Sequence, residues 1–179
     1  MQFGAGFPLT AMDNPSAIRE FGQTLDGAGF DFITASGHIL SSEPGAFPAN
    51  PTPTYGGPFH DPFVLFGYLA GLTERIRFRN SILILPLYPT GLVAKQGAEL
   101  QMISGGRYEL GVGISWNTAE YRALNQEFKT RGRRLEEQIS VLRRLWSEPF
   151  VTFDGRWHHF DNVGLNRVPA RPIPVHSSP

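Results

Sequence analysis

The chain contains no cysteine. That excludes disulfides, thiolate metal sites and a cysteine nucleophile, and with them the small secreted modules held together by disulfides. Charge of one sign is also missing. Sixteen basic and sixteen acidic residues cancel, leaving no electrostatic footprint for nucleic acid or an acidic membrane surface. Long hydrophobic runs are absent. The longest nearly apolar stretch, Phe63 to Leu72, is about half of what a bilayer crossing needs. Met1-Gln2-Phe3-Gly4 lacks the basic and apolar regions of a signal peptide. The expectation is a cytoplasmic protein with no nucleic-acid and no membrane partner. Its 41% hydrophobic content and 179 residues suit one domain with a sizeable core.

What the chain does have is alternation. Gln2 to Pro8 reads as a first strand. Asn14-Pro15 supplies a cap and a proline at the first helical position, and Ile18, Phe21, Leu25 and Ala28 follow at helical spacing. Phe30 to Ala35 reads as strand two. Ser36 to Asp61 is long, patternless and rich in proline and glycine, which in a compact domain marks a functional loop. Asp61-Pro62 opens a second helix, running to Leu72. Ile76 to Leu87 is a buried strand, Thr90 to Ile103 a third helix, and Arg107 to Ser115 a fourth strand. A short helix over Thr118 to Leu124 and a long one over Arg131 to Trp146 follow. Val151 to Phe160 reads as a hairpin turning at Asp154-Gly155, and Ile173 to His176 as a fifth strand just beginning. Strand alternating with helix announces an α/β fold with a parallel sheet, whose chemistry sits at the carboxyl ends of the strands.

The residues at those ends are Phe7-Pro8-Leu9-Thr10, Ser36-Gly37-His38, Leu85-Pro86-Leu87-Tyr88 and Ile114-Ser115-Trp116-Asn117. They include one imidazole and no carboxylate, lysine or cysteine. A metal hydrolase wants several His or Asp/Glu ligands, and a Schiff-base enzyme wants a lysine. An apolar, aromatic mouth with one titratable group suits a flat organic cofactor that brings its own reactivity. His38 is the candidate for handling a proton; its bland alternative is a loop histidine bonded to backbone. Trp116 divides between a substrate wall and core packing. Gly111-Val112-Gly113 lacks the third glycine of a dinucleotide fingerprint and opens no helix at once, so it reads as close packing within a strand. His158 and His159 fall on opposite faces of a strand, and no metal site is expected. Arg131, Arg133, Arg134, Arg143 and Arg144 read as a solvated helix face paired with Glu136 and Glu137. Arg133 and Glu137 stand one turn apart on that outer face.

Gly105-Gly106-Arg107-Tyr108-Glu109-Leu110-Gly111-Val112-Gly113, then Trp116-Asn117 and Glu120-Tyr121, resembles the luciferase-like monooxygenase family. Arg131-Gly132-Arg133-Arg134-Leu135-Glu136-Glu137, Phe153-Asp154-Gly155-Arg156-Trp157 and Arg171-Pro172-Ile173-Pro174 continue the match. Gly29-Phe30-Asp31 leading to His38, Thr73-Glu74-Arg75-Ile76-Arg77 and Leu83 to Leu87 extend it upstream. The resemblance is nearest to the branch dependent on the deazaflavin coenzyme F-420.

The resemblance implies a (β/α)8 TIM barrel, present here in part. About five βα units would be here, with a hairpin insertion at about 150–161, as the N-terminal portion of the barrel. It implies a flavin- or deazaflavin-dependent oxidoreductase or monooxygenase that transfers hydride between the reduced cofactor and a small organic substrate. Coenzyme F-420 is the first expectation and FMN the alternative. His38 would be the acid/base, and Gly37, His38, Leu85, Ile114 and Ser115 would contact the cofactor, with Phe7 and Trp116 lining the substrate pocket. Where the family usually has an aspartate before the histidine, this chain has Gly37. Where sugar-phosphate dehydrogenases of the family place a glutamate, it has Trp116, which speaks against that substrate. The pattern stops in the middle of a strand at Pro179. A truncated, non-catalytic module that forms a homo-oligomer through open sheet edges is therefore the other reading.

Overall fold

The computed structural model describes residues 1–8, 13–41 and 59–177. Leu9, Thr10 and most of the long loop expected over Ser36 to Asp61 lie outside the described residues.

Five strands, β1 (Gly4–Gly6), β2 (Phe32–Gly37), β3 (Arg77–Ile84), β4 (Tyr108–Gly113) and β7 (Val175–Ser177), form one sheet in the order β1-β2-β3-β4-β7, every pair parallel. The order never reverses. A Rossmann-type sheet reverses at its ligand crevice; this sheet, wound sequentially, does not. Among the described residues the sheet is not closed: β1 and β7 each have one unpaired edge within it. The remaining strands, β5 (Val151–Asp154) and β6 (His159–Val163), make the separate antiparallel hairpin.

The helices α1 (Pro15–Gly27), α2 (Pro62–Ala70), α3 (Thr90–Ile103), α4 (Thr118–Ala123) and α5 (Arg131–Leu145) occupy the crossovers. Their starts follow from local chemistry. Asn14 accepts a hydrogen bond from the Ser16 amide at 2.8 Å, and Asp61 accepts one from Val64 at 3.0 Å. Each is followed by a proline that has no amide to satisfy. One sheet face is apolar: Ile33, Ala35, Phe78, Tyr108 and Leu110 pack with Phe66, Leu69, Val93, Leu142 and Trp146 from the helices. On alternate positions the other face carries charge. Arg77 and Arg79 meet the Glu109 carboxylate at 2.7 and 2.6 Å, and His176 meets it at 3.1 Å.

Several bounds differ from the sequence reading. Strand three ends at Ile84, and Leu85–Leu87 forms a 3-10 turn, because Pro86 cannot donate to the ladder. Register shifts separate Asn80 from Leu83 on the β2 side and Arg79 from Leu83 on the β4 side. β3 therefore holds one residue more than either neighbour and bulges, with Ser81 and Ile82 exposed. A Cβ at Gly111 would lie 2.0 Å from the Asn80 carbonyl oxygen. The two glycines of β4 thus serve close strand packing, as expected.

The arginines do not form one solvated face. Arg134 is buried, donating to the Pro86 carbonyl at 3.0 Å, and Arg144 forms a two-pronged pair with Glu148. Glu137 is not on an outer face either. It accepts the amides of Arg156, Trp157 and His158 at 2.8–2.9 Å, and His158 Nδ1 lies 2.8 Å away. His158 Nε2 in turn contacts Thr90 Oγ1 at 2.6 Å. The hairpin is clasped to α5 and α3 by this carboxylate. Helix periodicity put Glu137 beside Arg133; the unpaired amides of the hairpin turn outweigh that surface pair.

Candidate active site

β2 ends at Gly37, and His38 follows it. Gly37 is buried, and a Cβ there would stand 2.9 Å from the Pro62 ring. The α2 proline fills the space that a side chain at 37 would use. His38 retains partial access, with Phe59 edge-on at 5.2 Å and the Trp116 ring at 6.3 Å.

The mouth is not free of carboxylates. Glu120, from α4, is 1% exposed and lies 2.6 Å from His38 Nδ1 through Oε2. The same oxygen accepts Asn117 Nδ2 at 3.1 Å, while Oε1 accepts the Ile39 and Leu40 amides at 2.9 and 3.1 Å. The sequence reading missed this residue. Asn117 and Glu120 have the spacing of a capping box, in which the glutamate turns back to the cap amide. Asn117 does cap α4, bonding Ala119 N at 3.1 Å, but Glu120 turns to His38 instead. A lone imidazole is thereby replaced by an imidazole–carboxylate pair.

Ser115 precedes α4 with a φ of 52°, and its hydroxyl accepts the Asn117 amide at 3.2 Å. This left-handed turn carries the chain from β4 into α4 and leaves Trp116 41% exposed, which excludes its core alternative. Tyr121 donates its hydroxyl to the Ile114 carbonyl at 2.5 Å. Burial pushes that phenol up to about 12, with the Glu120 charge adding and Arg134 and Arg131 opposing, so it stays a donor at neutral pH.

Ile114 and Trp116 are open at the strand ends, with Ile82 of the β3 bulge near Gly113. Two other expected contacts are placed in the core. Leu85 is fully buried, and Phe7 packs edge-on against Phe21 and His60.

Beside Ile114 a cleft of about 500 Å³ is lined by Lys129, Arg131, Arg133, Arg156 and Trp157. Arg131 lies over the Phe128 ring at 3.7 Å and Arg156 over Trp157 at 5.0 Å, so their guanidinium planes are held by aromatic faces. No group of three or more His, Asp or Glu with metal-site geometry occurs among the described residues. No helix among them is long and apolar enough to cross a membrane.

The family model for luciferase-like monooxygenase matches residues 1–178. The chain belongs to this family. The F420-dependent glucose-6-phosphate dehydrogenase of Gordonia bronchialis is 31% identical over 180 residues, covering 96% of this chain and 49% of the dehydrogenase. The FMNH(2)-dependent dimethylsulfone monooxygenase of Pseudomonas fluorescens is 30% identical over 155 residues, covering 84% and 39%. The crystal structure of monooxygenase RslO1 from Streptomyces bottropensis superposes with a TM-score of 0.79 at 26% identity, covering 99% of this chain and 53% of that one. The chain spans about half the length of these luciferase-like relatives, or less.

Proposed function

We propose that this chain carries the acid/base end of a flavin- or deazaflavin-dependent oxidoreductase acting on a small organic substrate. The observation that carries the reading is the His38–Glu120 pair, set between Phe59 and Trp116 beside open aliphatic side chains. The pair supplies a proton donor or acceptor, and no described residue around it supplies electrons. A bound reduced flavin or deazaflavin would supply them as hydride.

The residues present fit such a group on two counts. Ile114, Trp116 and Ile82 offer apolar contact for a flat ring. The cationic cleft next to Ile114 offers Lys129, Arg131 and Arg133 to an anionic tail, which both FMN and coenzyme F-420 possess. In this reading His38 holds or moves a proton at Nε2, Glu120 holds Nδ1, and Phe59 and Trp116 limit water at the imidazole. Trp116 also favours an apolar or aromatic substrate over a sugar phosphate, because an indole gives a phosphate no charge to meet.

The test is titration of the purified chain with FMN and with deazaflavin, oxidised and reduced, followed by fluorescence. A saturable change at micromolar cofactor is expected. Its absence for every form overturns the reading for this chain. One observation favours a second reading, that of an assembly module: among the described residues the sheet has open edges at β1 and β7. Such edges template strand addition, so homo-oligomerisation is the accompanying proposal, read by light scattering.

A further inference from the structure

We infer that Glu120 is the positioning residue that fixes the tautomer of His38 and leaves its Nε2 as the acceptor facing the mouth. The inference rests on the acid/base reading of His38. Its geometry, however, is that of the protein alone.

Three of the four groups around the Glu120 carboxylate can only donate. They are the Ile39 and Leu40 amides on Oε1 and the Asn117 side-chain amide on Oε2. The fourth is His38 Nδ1, 2.6 Å from Oε2. A carboxylate serving three donors is an acceptor on both oxygens, so Nδ1 carries the hydrogen and a neutral ring keeps its lone pair on Nε2. Among the described residues nothing bonds Nε2. The ring cannot turn over without giving up the Glu120 contact, and Phe59 and Trp116 stand beside it. The carboxylate is itself immobile: Asn117 and Glu120 are buried, and Tyr121 ties α4 to the Ile114 carbonyl. When Nε2 takes a proton, the imidazolium faces a carboxylate already in contact with its other nitrogen. No group has to move to balance that charge.

Long-range 1H–15N correlation spectra of the labelled chain, at a pH where the imidazole is neutral, read the tautomer directly. The His38 signals are assigned by their loss in His38→Gln. The wild type is expected to show a protonated Nδ1 and a pyridine-type Nε2. Glu120→Gln inverts this for a geometric reason. The Ile39 and Leu40 amides are two fixed donors against the single Asn117 amide on the other oxygen, so the new side chain gives them its oxygen, gives up the Asn117 bond and turns its NH2 toward Nδ1. That nitrogen becomes an acceptor and the hydrogen moves to Nε2. A wild-type ring protonated at Nε2, or a folded Glu120→Gln chain that keeps Nδ1–H, overturns the inference. The wild-type spectrum decides even if the variant does not fold. The flavin titration is independent: its failure removes the functional reading and leaves the tautomer result standing.

Discussion

Replacing Gly111 by alanine tests the claim that β4 is glycine-rich to let β3 bulge against it, rather than to cradle a phosphate. The added methyl carbon would sit 2.0 Å from the Asn80 carbonyl oxygen and 3.2 Å from that of Ser81. An ordinary carbon–oxygen approach is about 3.3 Å, so β3 and β4 would have to part by more than 1 Å, roughly. Both obstructing atoms are backbone, and no rotamer change relieves the clash. Overpacking of this kind costs about 1–3 kcal/mol. Disturbing one or two ladder hydrogen bonds between these strands adds about 1 kcal/mol each. A total of about 2–5 kcal/mol corresponds to a fall in Tm of roughly 4–20 °C for a chain of this size. Thermal unfolding followed by circular dichroism measures it. Gly67→Ala is the control. Gly67 lies inside α2 with nothing within 4 Å of an added Cβ. Alanine there gains about 0.5–1 kcal/mol. A Gly111→Ala chain melting within about 2 °C of wild type, beside a control that rises, would refute close strand approach as the reason for the glycine.

Other outcomes follow from the same contacts. Burial alone would raise the Glu137 carboxyl, but the hydrogen bonds from His158 and the Trp157, Arg156 and His158 amides prevail and hold it below its usual range. A depressed folded pKa gives stability that is present above the unfolded value, about 4.3 for glutamate, and lost as pH falls through the folded value. Glu137→Gln should therefore flatten the stability–pH curve on that acid side, as urea unfolding at stepped pH would show; an unchanged slope counts against the clasp. Arg107 donates to the carbonyls of Ala70, Thr73, Ile76 and Ser104. Lysine lacks the planar fork, so Arg107→Lys should cost about 2–3 kcal/mol by denaturant unfolding, most of it from carbonyls left without a donor. If the cationic cleft takes a cofactor tail, FMN should bind better than riboflavin, which has no phosphate. Arg133→Glu should then weaken FMN by about tenfold, or 1.4 kcal/mol, and leave riboflavin unchanged; equal losses for both would place the tail elsewhere. In a full-length relative carrying the same motif, replacing the residue that matches His38 by alanine should lower turnover while leaving the fold intact, and unchanged turnover would remove its assignment.

What the sequence made legible was what neighbours in sequence decide. Asn14-Pro15 and Asp61-Pro62 marked two helix starts because cap, proline and amide lie within a few residues of one another. The parallel sheet was visible in the alternation of apolar runs with helical spacing, and the strand-packing role of Gly111 in the missing third glycine. The residues that escaped act at a distance. Glu120 meets an imidazole 82 positions earlier in the chain, and its spacing from Asn117 advertises a helix cap, which conceals the contact. Glu137 shares a helix face with Arg133, yet the hairpin turn, 19 to 21 residues later, is what claims its oxygens. Arg107 sits beside Gly105-Gly106 like any surface arginine after a turn, and only the folded chain brings the ends of α2 and α3 to its guanidinium. Periodicity reports which face an element turns inward; it carries no information about which distant donor arrives there.

The meeting of Gly37 with the Pro62 ring ties two positions into one history. An aspartate at 37 is strained if it comes first, because its β-carbon would stand 2.9 Å from a rigid pyrrolidine ring. Proline at 62 can be lost first at little cost, since Asp61 would still cap α2. Any exchange that gives position 37 a side chain therefore has a favoured order, with the helix changing before the strand.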